Sequence, residues 1–233
     1  MPDPSTSATG VRTLLSWSGG KDSTLALHRL RVEPGAAARV RLDGLLTTVT
    51  AEYDRISMHG VRRVLLERQA AALGLPLETV SIPPACTNDA YERAFGGALA
   101  GYRARGGEAV AFGDLFLADI RAYRERLVAP TGLAAEFPLW GEDTAALARR
   151  FVALGYRAVL VCVDPAQLDQ TFCGREYDEA LLDALPAGVD PCGERAEFHT
   201  FVYDGPAFAR PVAVARGEVV ERGGFWFRDL QPA

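Results

Sequence analysis

Ser18-Gly19-Gly20-Lys21-Asp22-Ser23 is the stretch whose residue types and spacing can do chemistry most directly. Two adjacent glycines let a backbone turn sharply and come close to an anion. A helix predicted to follow would begin with unpaired N–H groups and a positive dipole end. Ser18 and Ser23 add hydroxyls, and Lys21 adds a full positive charge. Asp22 could cap the helix or hold a Mg²⁺ ion. Together these groups make a cradle for phosphate. The G-x-x-x-x-G-K-[ST] spacing is absent, and so is a dinucleotide fingerprint. The plainer alternative is a Gly-rich turn with a surface lysine. Composition argues against it: of 25 basic residues, Lys21 is the single lysine. Arginine does not replace lysine as a compact point charge on phosphate.

The elements that must position this loop follow from the apolar pattern. Val11–Trp17 reads as a buried strand running into the loop, and Ser23–Arg31 as the helix after it. Further strands are expected at Leu42–Val49, Leu77–Ile82, Ala109–Phe112 and Arg157–Val163. Leu133–Pro138 reads as a short extended piece. Helices are expected at His59–Leu73 (stopped by Gly74), Asn88–Arg105, Asp119–Val128 and Asp143–Leu154. Strands alternating with helices imply βαβ units and a parallel sheet covered on both faces. The pattern holds to about Asp164. Beyond Val189 it gives way to loop and antiparallel strands, expected at Phe198–Tyr203, Val212–Ala215, Val219–Glu221 and Phe225–Arg228. The fold class is therefore α/β, a Rossmann-like parallel sheet with a smaller C-terminal α+β lobe. Residues 1–10 read as a loose tail, 11–132 as a nucleotide-binding domain and 133–233 as the second lobe.

Composition narrows the function classes. Charge is 25 basic against 30 acidic residues, with no basic block, which disfavours general nucleic-acid binding. No apolar run approaches the ~20 residues of a membrane span. The N-terminal stretch lacks the marks of a signal peptide, so a cytoplasmic protein is expected. The four cysteines (Cys86, Cys162, Cys173, Cys192) form no C-x-x-C pair and read as reduced thiols.

The S-G-G-K-D-S loop resembles the signature of the PP-loop ATP pyrophosphatases. Four further stretches narrow the resemblance: Ser57-Met58-His59-Gly60, Gly113-Asp114, Pro138-Leu139-Trp140-Gly141, and Cys192-Gly193-Glu194-Arg195-Ala196-Glu197-Phe198-His199-Thr200 continuing to Tyr203-Asp204-Gly205-Pro206. In this order, over almost the whole chain, they resemble the diphthine–ammonia ligase family. One departure stands out. The family usually has Gly-Gly between its two acidic residues, where this chain has Arg195-Ala196. The resemblance implies a HUP-type domain that cleaves ATP between the α and β phosphates, adenylates a carboxylate and forms an amide with ammonia. It implies ATP and Mg²⁺ as cofactors, and a small-molecule or protein-side-chain carboxylate plus ammonia as partners. A homodimer is compatible with it.

In that setting, Ser18–Ser23 (with Gly19 and Gly20), Ser57, His59 and Gly113 are expected at the nucleotide. Lys21, Asp22, Asp114, Glu194 and Glu197 are expected at the chemistry, with Asp22 the possible Mg²⁺ ligand. Each has a plainer alternative. His59 could only cap the helix it is expected to head, and Asp114 could be a turn residue. Glu194 and Glu197, with His199 nearby, could form a polar wall that takes a proton from an amine, or a solvated acidic loop. Asp204-Gly205-Pro206 is strong turn chemistry. Trp140 could line the pocket or fill a lobe interface. Cys192 is more readily a core residue than a thiolating nucleophile, and His28 reads as packing. Two other functions stay open: a nucleotide sensor without turnover, and a tRNA-thiolating enzyme.

Overall fold

A computed structural model describes residues 10–56 and 59–233. The first sheet contains β1 (Val11–Ser16), β2 (Val40–Thr50), β3 (Arg55–Ile56), β4 (Leu77–Ile82), β5 (Ala109–Ala111) and β6 (Ala134–Glu136). Strands β4, β2, β1, β5 and β6 run parallel in that order. The two-residue β3 pairs antiparallel with the end of β2, beyond β1. The helices are α1 (Lys21–Val32), α2 (Pro34–Ala37), α3 (Arg63–Leu73), α4 (Asn88–Ala104), α5 (Ala118–Val128), α6 (Thr144–Ala153) and α7 (Glu179–Ala184). A second sheet holds β7 (Arg157–Val163), β8 (Phe198–Asp204), β9 (Val214–Arg222) and β10 (Phe225–Pro232), in the order β8-β7-β10-β9, all antiparallel. The chain is thus α/β, with a Rossmann-like parallel sheet and a smaller antiparallel lobe.

Strand alternation explains how the first sheet is covered. Leu14 joins a cluster with Phe95 and Leu99 of α4 and Val128 of α5. The next residue, Leu15, faces the opposite way, into a cluster with Leu27 of α1, Leu65 of α3, and Val159 and Phe201 of the second sheet. One apolar core therefore runs from the parallel sheet into the antiparallel lobe. From β1 the chain builds outward to β2 and β4, then crosses to β5 on the other side of β1. The loops after β1 and β5 diverge at this reversal, and ligands bind at such crevices in open α/β sheets.

Three local expectations change. Arg157–Val163 is not a parallel strand but a central strand of the antiparallel sheet, between β8 and β10. Its residues after Arg157 are all buried, and an unbroken apolar run cannot say which kind of sheet buries it. His59 does not head a helix. Ile56 N donates to Val61 O at 2.8 Å and Gly60 N to Ile56 O at 3.0 Å, so a tight turn closes first and α3 starts at Arg63. Val212–Ala215 and Val219–Glu221 are not two strands, since β9 runs unbroken from Val214 to Arg222 and Val212 and Ala213 precede it. β6 pairs with β5, so the first sheet extends past residue 132. Ser57 and all of the expected tail but Gly10 lie outside the described residues. Among the described residues, no helix is long and apolar enough to cross a membrane.

Candidate functional site

The loop after β1 carries Ser18–Ser23 into the crevice and is held in shape by its own side chains. Gly20 N donates to Ser18 Oγ at 3.3 Å, and Ser23 Oγ and Thr24 Oγ1 donate to Gly20 O at 3.0 and 2.9 Å. Gly19 adopts φ +77°, a left-handed conformation natural to glycine. Gly20 lies so close to β8 that a Cβ there would sit 3.1 Å from Thr200 O and 3.2 Å from His59 Cε1. The residue preceding α1, Gly20, has no side chain to cap it. The Lys21 amide donates to Thr200 Oγ1 at 3.0 Å. Gly113, after β5, packs against the same loop, and a Cβ there would meet Ser23 N at 3.0 Å.

A cavity of about 700 Å³ opens over these loops. Its walls bring together Ser18, Gly20, Lys21, Asp22, Ser23, His59, Gly113, Asp114, Glu194 and His199. Gly19 and Glu197 are not on its surface. Gly19 sits behind the loop against Gln69.

Lys21 is 2% exposed. Its Nζ donates to both Asp22 oxygens at 2.9 and 2.8 Å, and to the Cys192 carbonyl. Burial works against the ammonium charge, but Asp22, Cys192 and Glu194 outweigh it and raise its pKa. An ammonium has three donors, and all three are engaged within the protein. A phosphate that takes up Nζ must displace one of these acceptors. Asp22 is likewise committed: burial raises its pKa and Lys21 opposes the rise.

The facing wall comes from the segment between α7 and β8. Glu194 Oε1 accepts from the Leu115 amide at 2.7 Å, which ties this wall to the loop after β5. Burial pushes the Glu194 carboxyl up to about 7. Asp22 and Asp114 add to the rise, while the Leu115 amide and Lys21 oppose it. Glu197 does not join Glu194 in a polar wall. It is 1% exposed, and its two oxygens accept from the Asp190 and Arg195 amides, both at 2.9 Å. Its two oxygens close the loop that presents Glu194. Asp114 lines the cavity with Arg124 Nε 3.8 Å away. Burial raises its pKa, against the pull of Arg124.

His59 and His199 stack, with ring centroids 4.4 Å apart. Burial pushes His59 down to about 4, helped by Lys21 and opposed by the Thr200 carbonyl. Burial also drives His199 well below its ordinary value, with His59 and Lys21 adding to the fall. The pair is therefore neutral at physiological pH.

Sequence reasoning missed Gln69. It is fully buried on α3, accepts from Trp17 Nε1 at 3.0 Å, and donates to Gly19 O at 3.0 Å and Val202 O at 2.6 Å. It braces the loop from behind. A polar residue on the apolar face of the predicted helix was the available signal. Thr200, which receives the Lys21 amide, was visible only as part of a longer string. Among the remaining candidates, His28 Nδ1 lies 2.9 Å from Tyr156 OH as a packing contact. Cys192 Sγ donates to Thr144 O, and burial raises its thiol pKa, so it is no ready nucleophile. Trp140 lies outside the cavity, with the Arg121 guanidinium 4.8 Å from its ring centre. Asp204 and Gly205 form a turn, with Gly205 N donating to Asp204 Oδ1 at 2.8 Å.

Comparison with known proteins bears on the whole chain. The diphthamide synthase N-terminal domain matches residues 11–135 and the diphthamide synthase C-terminal domain matches residues 143–230. A diphthine–ammonia ligase of Mus musculus is 25% identical over 221 residues, 87% of this chain and 82% of that protein. One of Schizosaccharomyces pombe is 30% identical over 118 residues, 49% of this chain but only 20% of that longer protein. A solved structure titled a predicted subunit of tRNA methyltransferase, from Methanocaldococcus jannaschii, aligns with TM-score 0.42 and 16% identity, covering 63% of this chain and 77% of its own. With both domains matched in order, this chain belongs to the diphthamide synthase family.

Proposed function

We propose that this chain is an ATP-dependent, AMP-forming carbon–nitrogen ligase; its relatives are named diphthine–ammonia ligases. The observation that carries the reading is the position of Ser18–Ser23 at the sheet's reversal point, facing Asp114 and Glu194 across one cavity. In the first step a carboxylate oxygen attacks the α-phosphorus of ATP. One O–P bond forms, and the bond to pyrophosphate breaks. In the second step ammonia attacks the acyl carbon and AMP leaves with the C–O bond electrons. The proton shed by the nitrogen goes to Glu194, whose pKa near 7 suits a base at neutral pH. Ser18, Gly20, Ser23 and the first turn of α1 hold the phosphates, and Gly19 shapes that loop. Lys21 exchanges Asp22 for phosphate as charge builds on the departing pyrophosphate. His59 and Gly113 flank the nucleotide.

Mg²⁺ would reach this site on the nucleotide. Among the described residues no three His, Cys, Asp or Glu groups form a metal cage. Mg²⁺ does not require one, since it usually takes one or two carboxylates plus phosphate and water oxygens. Asp22, with Asp114 beside it, fits that role. The nucleotide-binding unit extends through β6, and the remainder forms the lobe that meets the acid.

The test is a screen of carboxylic acids with ATP and ammonium, following pyrophosphate and AMP. Pyrophosphate release that requires both acid and ammonium is expected. Formation of ADP and phosphate rejects the reading.

A further inference from the structure

A second cavity of about 950 Å³ adjoins the first and shares Ile56 and His199 with it. Its walls are Tyr53, Phe225 and Phe227 with Cys162 and Ala85, and its rim carries Arg222. Among the described residues, none that lines it is Asp or Glu. Arg55 also lines it, but that guanidinium is committed to Asp229 at 2.9 Å and to Gly60 O at 2.6 Å. Arg222 is exposed, and its guanidinium has no partner among the described residues.

Three features show that this cavity is built. Arg222 and Phe225 are cross-strand partners flanking Gly223 and Gly224, whose φ angles of +59° and +86° close a tight two-residue hairpin. Ala85, on the opposite side, is held at φ +49°, a costly conformation for a residue with a Cβ. His199, in the wall between the cavities, has a buried Nε2 with no hydrogen-bond partner. The cavity also bears on the nucleotide side. Phe227 packs so tightly on Gly60 that a Cβ there would lie 2.7 Å from its ring, and Gly60 adjoins His59.

The geometry points to this second cavity as the pocket for the acid, a carboxylate on an aromatic or similarly flat apolar stem, with its body between Phe225, Phe227 and Tyr53. This rests on the ligase reading for its place in the reaction and deepens it by naming the substrate class. Arg222 draws the anion to the mouth, and none of the described wall residues is a carboxylate that would repel it. His199 lines both cavities and marks the wall on which this pocket adjoins the first one.

The experiment uses the full chain, with 3-phenylpropionate and 3-phenylpropanamide as probes, read by ligand-observed NMR. The acid is expected to bind, and the neutral amide to bind at least tenfold more weakly. Arg222→Ala should weaken the acid by a similar factor and leave the amide unchanged, with Arg222→Lys intermediate. A saturating non-hydrolysable ATP analogue should not displace the acid. No binding of the acid, equal binding by Arg222→Ala, or displacement by the analogue overturns the assignment. The two readings fail separately. Acid binding without pyrophosphate release in any screen removes the ligase and keeps the pocket. Nucleotide-dependent pyrophosphate release with an acid indifferent to Arg222 does the reverse.

Discussion

Replacing Lys21 with methionine keeps most of the apolar stem and removes the terminal ammonium with its charge and donors. Nζ serves both Asp22 oxygens and the Cys192 carbonyl, so the variant strands three acceptors at once. Breaking a fully buried ion pair from one side costs roughly 3–5 kcal/mol. Asp22 keeps 28% of its side chain exposed, and methionine avoids the cost of burying an ammonium. The net loss is therefore about 2 kcal/mol, a fall of roughly 4–8 °C in melting temperature for a chain of this size. The loss should depend on pH. Burial already holds the Asp22 pKa above its ordinary value, and removal of Lys21 raises it further. A carboxyl raised in this way favours the folded state at pH values below its unfolded pKa and loses that benefit as pH climbs through the folded one. Lys21→Met should therefore be least damaged near pH 4 and most damaged at pH 8. Calorimetric melting at the two values reads this. The affinity for a non-hydrolysable ATP analogue should also fall about tenfold to a hundredfold, the worth of one charged hydrogen bond. A variant that melts with wild type at pH 8 and binds the analogue equally refutes both the strut and the phosphate-binding role.

Gln69→Leu leaves Trp17 Nε1 and the Val202 carbonyl without their buried partner, at a cost of about 3 kcal/mol. Urea unfolding measures the loss, and a shift in tryptophan emission accompanies it. Ala196→Gly relieves a residue held at φ +65° and should stabilise the fold by about 0.5–1 kcal/mol, since relief of left-handed strain exceeds the entropy cost of glycine. A lower melting temperature counts against that account. Glu194→Gln removes a carboxyl whose folded pKa, about 7, lies above its ordinary value. That carboxyl's contribution to stability is lost as pH rises toward and through 7, so the variant should gain on wild type between pH 5 and pH 8 in thermal melts. In the ligase assay, the limb of activity rising through about pH 7 should vanish in the same variant.

Local chemistry was legible in the sequence. The adjacent glycines of Ser18–Ser23 announced a sharp turn between β1 and α1, and Gly74 stops α3 in the left-handed conformation expected of it. The departure at Arg195-Ala196 has a physical meaning as well. Ala196 occupies a position whose backbone suits glycine, and it lines the first cavity. The features that escaped depend on distant partners. No pattern within Arg157–Val163 says that β8 and β10 flank it. Nothing near residue 21 says that its ammonium meets a carbonyl 171 positions later. Glu194 and Glu197 are alike in type and neighbours in sequence, yet one faces the cavity and the other is folded into its own loop.

The bond from Val202 N to Gly19 O, at 2.9 Å, stitches β8 directly onto the Ser18–Ser23 loop, beside the contacts from Thr200 and Cys192. The proposed machinery for nucleotide capture is thus distributed along the polypeptide. A gene cut between the parallel and antiparallel sheets would yield two products, and neither would hold the loop in its working shape until they reassembled. For this molecule, mixing the separate halves and recovering ATP affinity would be a complementation assay for the seam itself.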